Sequence, residues 1–184
     1  NPPIRDPFRR PKDAIQQFPY PVIAMIYGHC VGGGLEIAVA CDIRIAAEDA
    51  KLGITPAKLG IVYNYDPIRD FVALIGPAFT KELFVSGRLV EARRALAMGL
   101  VNQVAPTGEL ESYTYAMAEE IACNAPLSMR SSKLIVNRIL HDEPITEEEQ
   151  GYFRLLRDTA ARSDDLVEGR RAFLEKRKPQ FMGR

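Results

Sequence analysis

Three consecutive glycines, Gly32 to Gly34, separate an apolar stretch beginning at Tyr20 from a short Ala-rich segment. Before them, Val22 to Tyr27 are apolar and bounded by Pro21 and Gly28, which predicts a buried strand. After them, Glu36-Ile-Ala-Val-Ala-Cys-Asp42 has the small side chains of a helix packed closely on a sheet. The glycines therefore stand where a loop becomes a helix N-terminus, and the N–H groups of such a first turn have no partner within the helix. Without Cβ atoms, this backbone can be approached closely, and an oxygen gaining negative charge is stabilised strongly by such donors. Gly33 is accordingly a candidate oxyanion donor. Tight strand-to-helix packing would account for the same glycines. A phosphate-binding loop would not, because the Gly-Lys-Ser/Thr ending and the Gly-x-Gly-x-x-Gly spacing are both absent.

The chain has 184 residues, 47% of them hydrophobic, enough for a buried core in one domain or little more. Basic and acidic residues balance at 24 each, so no nucleic-acid partner is expected. No run has the length of a membrane span, and no charged start leads into an apolar stretch as in a secretory signal. A cytoplasmic protein without membrane contact is the expectation. Cys30, Cys41 and Cys123 lack metal-ligand spacing and read as reduced, buried thiols, and no metal site is expected.

Along the chain, Asn1 to Arg10 read as a Pro- and Arg-rich surface loop, followed by a short helix from Pro11 to Phe18. Ile43 to Ala47 and Lys51 to Leu52 predict strands, and the alternation of strand and helix predicts an α/β unit with stacked turns. Helices are expected over Pro67 to Ile75 and Phe79 to Ser86, parted by Gly76-Pro77, and over Glu91 to Met98, stopped by Gly99. The remainder is helical: Glu109 to Asn124, Leu127 to Leu140 with Pro126 at its first turn, and Thr146 to Ala161 opened by the capping box Thr146-Glu-Glu-Glu149.

Pro21-Val-Ile-Ala-Met-Ile-Tyr-Gly-His-Cys-Val-Gly-Gly-Gly-Leu-Glu36, then Cys41-Asp-Ile-Arg-Ile-Ala-Ala47 and Leu52-Gly-Ile-Thr-Pro-Ala-Lys-Leu-Gly60, resemble the crotonase (enoyl-CoA hydratase/isomerase) superfamily. The resemblance continues through Gly87 to Val104 and Ser163 to Pro179. Within the superfamily, Thr55 to Asn64 and Phe173 to Gly183 are most similar to methylmalonyl-CoA decarboxylases. The resemblance implies a crotonase-like ββα spiral core over residues 1–105 and a C-terminal helical trimerisation region over 106–184. It also implies a homotrimer or dimer of trimers. Relatives carry a further strand-and-helix region at their start, which supplies a second oxyanion N–H and part of the CoA pocket. That region is absent from this numbering, so the chain is expected to be a fragment or to have its N-terminal half on a separate segment.

The superfamily's reactions, as the resemblance implies, pass through a thioester enolate, with Gly33 as one donor to its oxygen and Gly32 beside it as a substrate-binding residue. Hydration needs two carboxylates around a water. Glu36 matches the first. The second comes in hydratases from a Gly-x-Pro-Glu-x-x-x-Gly segment, and aligning Gly53 and Gly60 to its ends puts Pro56 at the glutamate and Thr55 at the proline. No acidic residue stands between Ala50 and Tyr65. Decarboxylation needs neither carboxylate as a base, but an apolar place that poorly solvates the substrate carboxylate, and a later proton donor. Thr55 is a candidate to anchor that carboxylate, with Ile54, Ile61 and Val62 as apolar walls. Tyr63 is a candidate to orient substrate or deliver the proton, a phenol with a reference pKa of about 10 being protonated at neutral pH.

The activity implied is thus that of an acyl-CoA lyase taking methylmalonyl-CoA to propionyl-CoA, with coenzyme A as part of the substrate and no other cofactor. The alternatives are an enoyl-CoA hydratase or isomerase using Glu36 alone, and a non-catalytic CoA-binding protein of the same fold. In the family, residues matching Phe173 and Lys176 meet the CoA of an adjacent subunit. Plainer readings stand beside each role: Tyr63 as a packed loop tyrosine, Thr55 as part of a turn, Glu36 as a first-turn charge, His29 as structural, His141 as a surface residue and the basic end from Arg170 to Lys178 as a solvated helix face.

Overall fold

A computed structural model describes residues 8–140 and 144–184. His141 and most of the expected N-terminal loop lie outside the described residues. The chain forms two compact units: residues up to Phe18 with Val22–Tyr115, and Pro19–Pro21 with Ala116–Arg184.

The first unit begins with α1 (Arg9–Gln17), so Arg9 and Arg10 are helical where the sequence predicts loop. It continues through β1 (Ile23–Ile26), β2 (His29–Val31), α2 (Gly33–Ala40), β3 (Ile43–Ala47), β4 (Lys51–Gly53), α3 (Pro56–Leu59), α4 (Tyr65–Ser86), β5 (Val90–Glu91), α5 (Ala92–Ala97) and β6 (Gln103–Ala105). β1, β3 and β6 pair in parallel in one sheet. In the other, β2 pairs in parallel with β4, and β4 antiparallel with β5. Each turn of chain thus adds one strand to each sheet, which is the stacked spiral expected. The core is closed by Leu35, Ile45, Leu52, Ile54, Phe71 and Leu100, all fully buried; burying each such side chain contributes about 1.5–3 kcal/mol.

Two polar residues of the Cys41-Asp-Ile-Arg segment fasten the spiral. Asp42 Oδ2 accepts the N–H of Val22 at 2.7 Å, holding the start of β1 to the turn before β3. Arg44 is buried and donates to the carbonyls of Leu100 (3.0 Å) and Cys41 (2.6 Å). Asn102 Oδ1 accepts from the Arg44 N–H at 2.9 Å, and the Asn102 N–H donates to the Arg44 carbonyl at 2.9 Å. Burial presses the guanidinium below its ordinary pKa, and the neighbouring Cys41 and Asp42 oppose that pull.

α4 is one continuous run with a sharp kink at Gly76, whose φ of 73° and ψ of 168° are outside helical space, in the place where Gly76-Pro77 predicts a break. α5 ends at Ala97 and is followed by Gly99 at φ 78°, the left-handed residue of a helix stop. A single 3₁₀ turn (Thr107–Glu109) leads into α6 (Leu110–Ala122), along which one unit gives way to the other.

The second unit contains α7 (Pro126–Ile139), α8 (Glu147–Ala161) and α9 (Asp164–Glu175). α8 opens on the capping box read from the sequence, Thr146 accepting the Glu149 N–H while Glu149 accepts that of Thr146. The chain beyond α9 is tied back to it: Asp165 accepts the N–H groups of Met182 and Gly183 at 2.7 and 2.9 Å, and Glu168 that of Gln180 at 2.9 Å. Of the three thiols, Cys41 is buried and Cys30 half-buried, but Cys123, just past the end of α6, is exposed. The expectation of three buried cysteines is corrected at that residue.

Candidate active site

Gly32 makes the turn from β2 into α2. Its φ of 59° and ψ of −126° are open to glycine and strained for other residues, and its N–H is used by the Gly53 carbonyl at 3.0 Å. The first intrahelical bond is from the Glu36 N–H to the Gly32 carbonyl, 3.0 Å. A glycine cap has no side-chain acceptor, so the N–H groups of Gly33, Gly34 and Leu35 are those that α2 leaves for an outside acceptor. The backbone at Gly33 is half-buried.

Two aromatic side chains converge on this turn. A Cβ on Gly33 would lie only 2.0 Å from Cζ of Phe8, so the ring covers that face of the glycine and permits no side chain there. A Cβ on Gly32 would lie 4.0 Å from the Tyr63 hydroxyl oxygen, so the phenol faces the glycine loop from the other chain segment. The Tyr63 ring is held edge-on to Phe84 (centroids 5.5 Å apart), and Phe84 edge-on to Phe71 (5.2 Å). Tyr63 is thus anchored through its ring to both halves of α4, with its hydroxyl end toward the turn.

The register of β2 with β4 sets the approach. Val31 pairs with Gly53, so the loop that leaves β4 starts beside the glycines. Thr55 is the cap of the short α3 and Pro56, buried, its first residue. Gly60 at φ 67° ends that turn and sends the chain back through Tyr63. Of the expected apolar walls, Ile54 is fully buried, whereas Ile61 is 52% and Val62 91% exposed. At the turn itself the apolar group against Gly33 is the ring of Phe8, on which the sequence reading is silent.

Glu36 is 3% exposed, one turn along α2 from Gly33. Its Oε1 lies 3.4 Å from Nζ of Lys12, itself 5% exposed, and Lys12 is also 3.0 Å from Asp70 Oδ2. Arg69 reaches the other oxygen of Asp70 at 3.3 Å. The sequence reading missed Lys12 and Asp70, and no motif spacing links them to Glu36. His29 is exposed on β2. Phe173 and Lys176 belong to the second unit: Phe173 is 83% exposed, and Lys176, exposed at φ 52°, caps the C-terminus of α9. Burial, with Cys41 nearby, pushes the Cys30 thiol up to about 11, which keeps it neutral and inert. Among the described residues no three His, Cys, Asp or Glu side chains converge as metal ligands, and no helix is long and apolar enough to cross a membrane.

The arrangement is one of backbone donors at a helix start, an apolar ring above them and a phenol opposite. Residues 4–184 match the family model described as enoyl-CoA hydratase/isomerase. The chain is 36% identical over 178 residues to the methylmalonyl-CoA decarboxylase of Escherichia coli, covering 97% of this chain and 68% of that protein. It is 37% identical over 172 residues to the mitochondrial Delta(3,5)-Delta(2,4)-dienoyl-CoA isomerase of Dictyostelium discoideum, covering 92% of this chain and 57% of that one. The crystal structure of enoyl-CoA hydratase from Bacillus anthracis superposes with a TM-score of 0.87 at 37% identity, covering 96% of this chain and 68% of the other. The chain thus spans 57–68% of the length of these relatives. With the spiral of paired strands, the glycine turn and a match running nearly end to end, the chain belongs to the enoyl-CoA hydratase/isomerase (crotonase) family.

Proposed function

We propose that the whole protein is an acyl-CoA lyase that decarboxylates a short malonyl-type thioester such as methylmalonyl-CoA. The bond between the α carbon and the carboxylate breaks, CO₂ leaves, and the electron pair spreads onto the thioester oxygen as an enolate. The Gly33 N–H stabilises that oxygen; one such donor is worth about 10²- to 10³-fold in rate. A proton then reaches the α carbon, giving propionyl-CoA, with the Tyr63 phenol orienting the substrate or delivering that proton. Thr55 anchors the departing carboxylate, and Phe8 keeps the region apolar, so that the carboxylate is poorly solvated before it leaves.

The observation that carries this reading is the loop opposite the glycines: it brings a phenol to Gly32 and supplies no acidic side chain between Ala50 and Tyr65. Relatives include a decarboxylase, an isomerase and a hydratase. Hydration by Glu36 alone is the second reading, favoured by its place one turn from Gly33 and opposed by its engagement with Lys12. In the assembly we propose a homotrimer or dimer of trimers, in which Phe173 and Lys176 meet the CoA of a neighbour; an exposed ring and an ammonium suit an adenine-bearing, phosphate-bearing ligand. No other cofactor enters the reaction.

The test is incubation of the full-length protein with methylmalonyl-CoA, followed by chromatography of the thioesters and trapping of CO₂. Propionyl-CoA and CO₂ in equal amounts are expected. Their absence, with crotonyl-CoA hydrated instead, would transfer the assignment to the second reading.

A further inference from the structure

We propose that Lys12 is a positioning residue that withholds Glu36 from proton transfer and so sets the site against hydration. This rests on the reading of the glycine turn as the place of a thioester enolate.

Lys12 is on α1, a largely exposed helix, yet its side chain turns inward and is 5% exposed. Lysine is rarely so buried without partners. Here it has two, Glu36 Oε1 at 3.4 Å from α2 and Asp70 Oδ2 at 3.0 Å from α4. An ammonium donates three hydrogens and accepts none, so it serves both carboxylates together. Arg69, 3.3 Å from Asp70 Oδ1, completes a cluster of two cations and two carboxylates, Glu36 buried and Asp70 half-buried. Separating such a pair inside the protein leaves a charge without compensation, so the cluster holds its arrangement.

A general base for hydration must present a free lone pair to water, take up its proton and return one later. Glu36 stands where such a base would act, one turn from Gly33, but its Oε1 is directed at Lys12. Proton transfer through that oxygen would require breaking its contact with Lys12, in a cluster to which α1, α2 and α4 each contribute a charged side chain. A decarboxylating site loses nothing by this, since its electrons come from the departing carboxylate.

Three variants of the full-length protein test the inference. Lys12→Met keeps the length of the side chain and removes its charge. It is expected to raise crotonyl-CoA hydration at least about tenfold over the unaltered protein, part of the ~10²–10⁴ that general base catalysis supplies. Adding Glu36→Gln is expected to abolish the gain. Lys12→Arg is expected to hold hydration at the unaltered level. Glu36→Gln alone is expected to lower kcat for decarboxylation by less than tenfold. A folded Lys12→Met with no gain, a gain that survives Glu36→Gln, or a loss of tenfold or more on Glu36→Gln would each overturn it. Should Lys12→Met not fold, Lys12→Arg and Glu36→Gln decide. The hydration measurements use no methylmalonyl-CoA, so failure of the decarboxylase reading is seen separately, as unaltered protein that releases no CO₂.

Discussion

The contact of Phe8 with Gly33 is the narrowest constraint on any single residue at the candidate site. With Phe8 Cζ 2.0 Å from where a Cβ would stand, position 33 has no room for a side chain while the ring is present. The donor role of the Gly33 amide is separable from that steric role. Proline is accepted at the first position of a helix but brings no N–H. We expect Gly33→Pro, made together with Phe8→Ala to clear the space, to lower kcat by about 10²- to 10³-fold relative to Phe8→Ala alone. A decrease of less than tenfold would remove the amide from the mechanism. The glycine turn was legible because strand, glycines and Ala-rich helix follow one another locally. Phe8, Lys12 and Asp70 were not, because their places beside Gly33 and Glu36 are decided by how α1 and α4 pack on α2, which leaves no periodic mark in the chain.

Among the elements, the kink in α4 does most to position Tyr63. Phe71 and Phe84 would be roughly 20 Å apart along a straight helix; their rings are 5.2 Å apart, so the kink at Gly76 folds the second half of α4 back onto the first. That fold provides the surface on which the Tyr63 ring rests. A Cβ at Gly76 would meet nothing within 4 Å, so the cost of a side chain there is the backbone's alone. Gly76→Ala is therefore expected to destabilise by about 1–3 kcal/mol, read as a lower urea midpoint with an unchanged slope. A neutral result would show that the kink needs no glycine. The break was legible from Gly76-Pro77, and the capping box at Thr146 from its spacing. β2, β5 and α3 were not, being two to four residues long and too short for a period to register.

The whole chain joins a spiral of paired strands, fastened by Asp42 and Arg44, to a unit of helices held by charged caps. In the latter, Arg138 and the Thr146 N–H together draw the Glu149 carboxyl down from its ordinary 4.5 to about 2. Because the folded value is the lower one, this contribution is complete above about pH 4.5 and is lost as pH falls toward 2. Acid titration followed by circular dichroism is expected to show helix loss in that window, beginning at higher pH in Glu149→Gln; superimposable curves would contradict the role of the cap. The family's spiral was legible in the order of the motifs, whereas what the site does with a thioester depends on which groups face the glycines, and only the folded chain displays that. The decisive measurement is the ratio of kcat/KM for release of CO₂ from methylmalonyl-CoA to kcat/KM for hydration of crotonyl-CoA by the full-length protein. A ratio far above one is predicted. A ratio below one, with Glu36→Gln abolishing hydration, would contradict the enolate-by-decarboxylation reading.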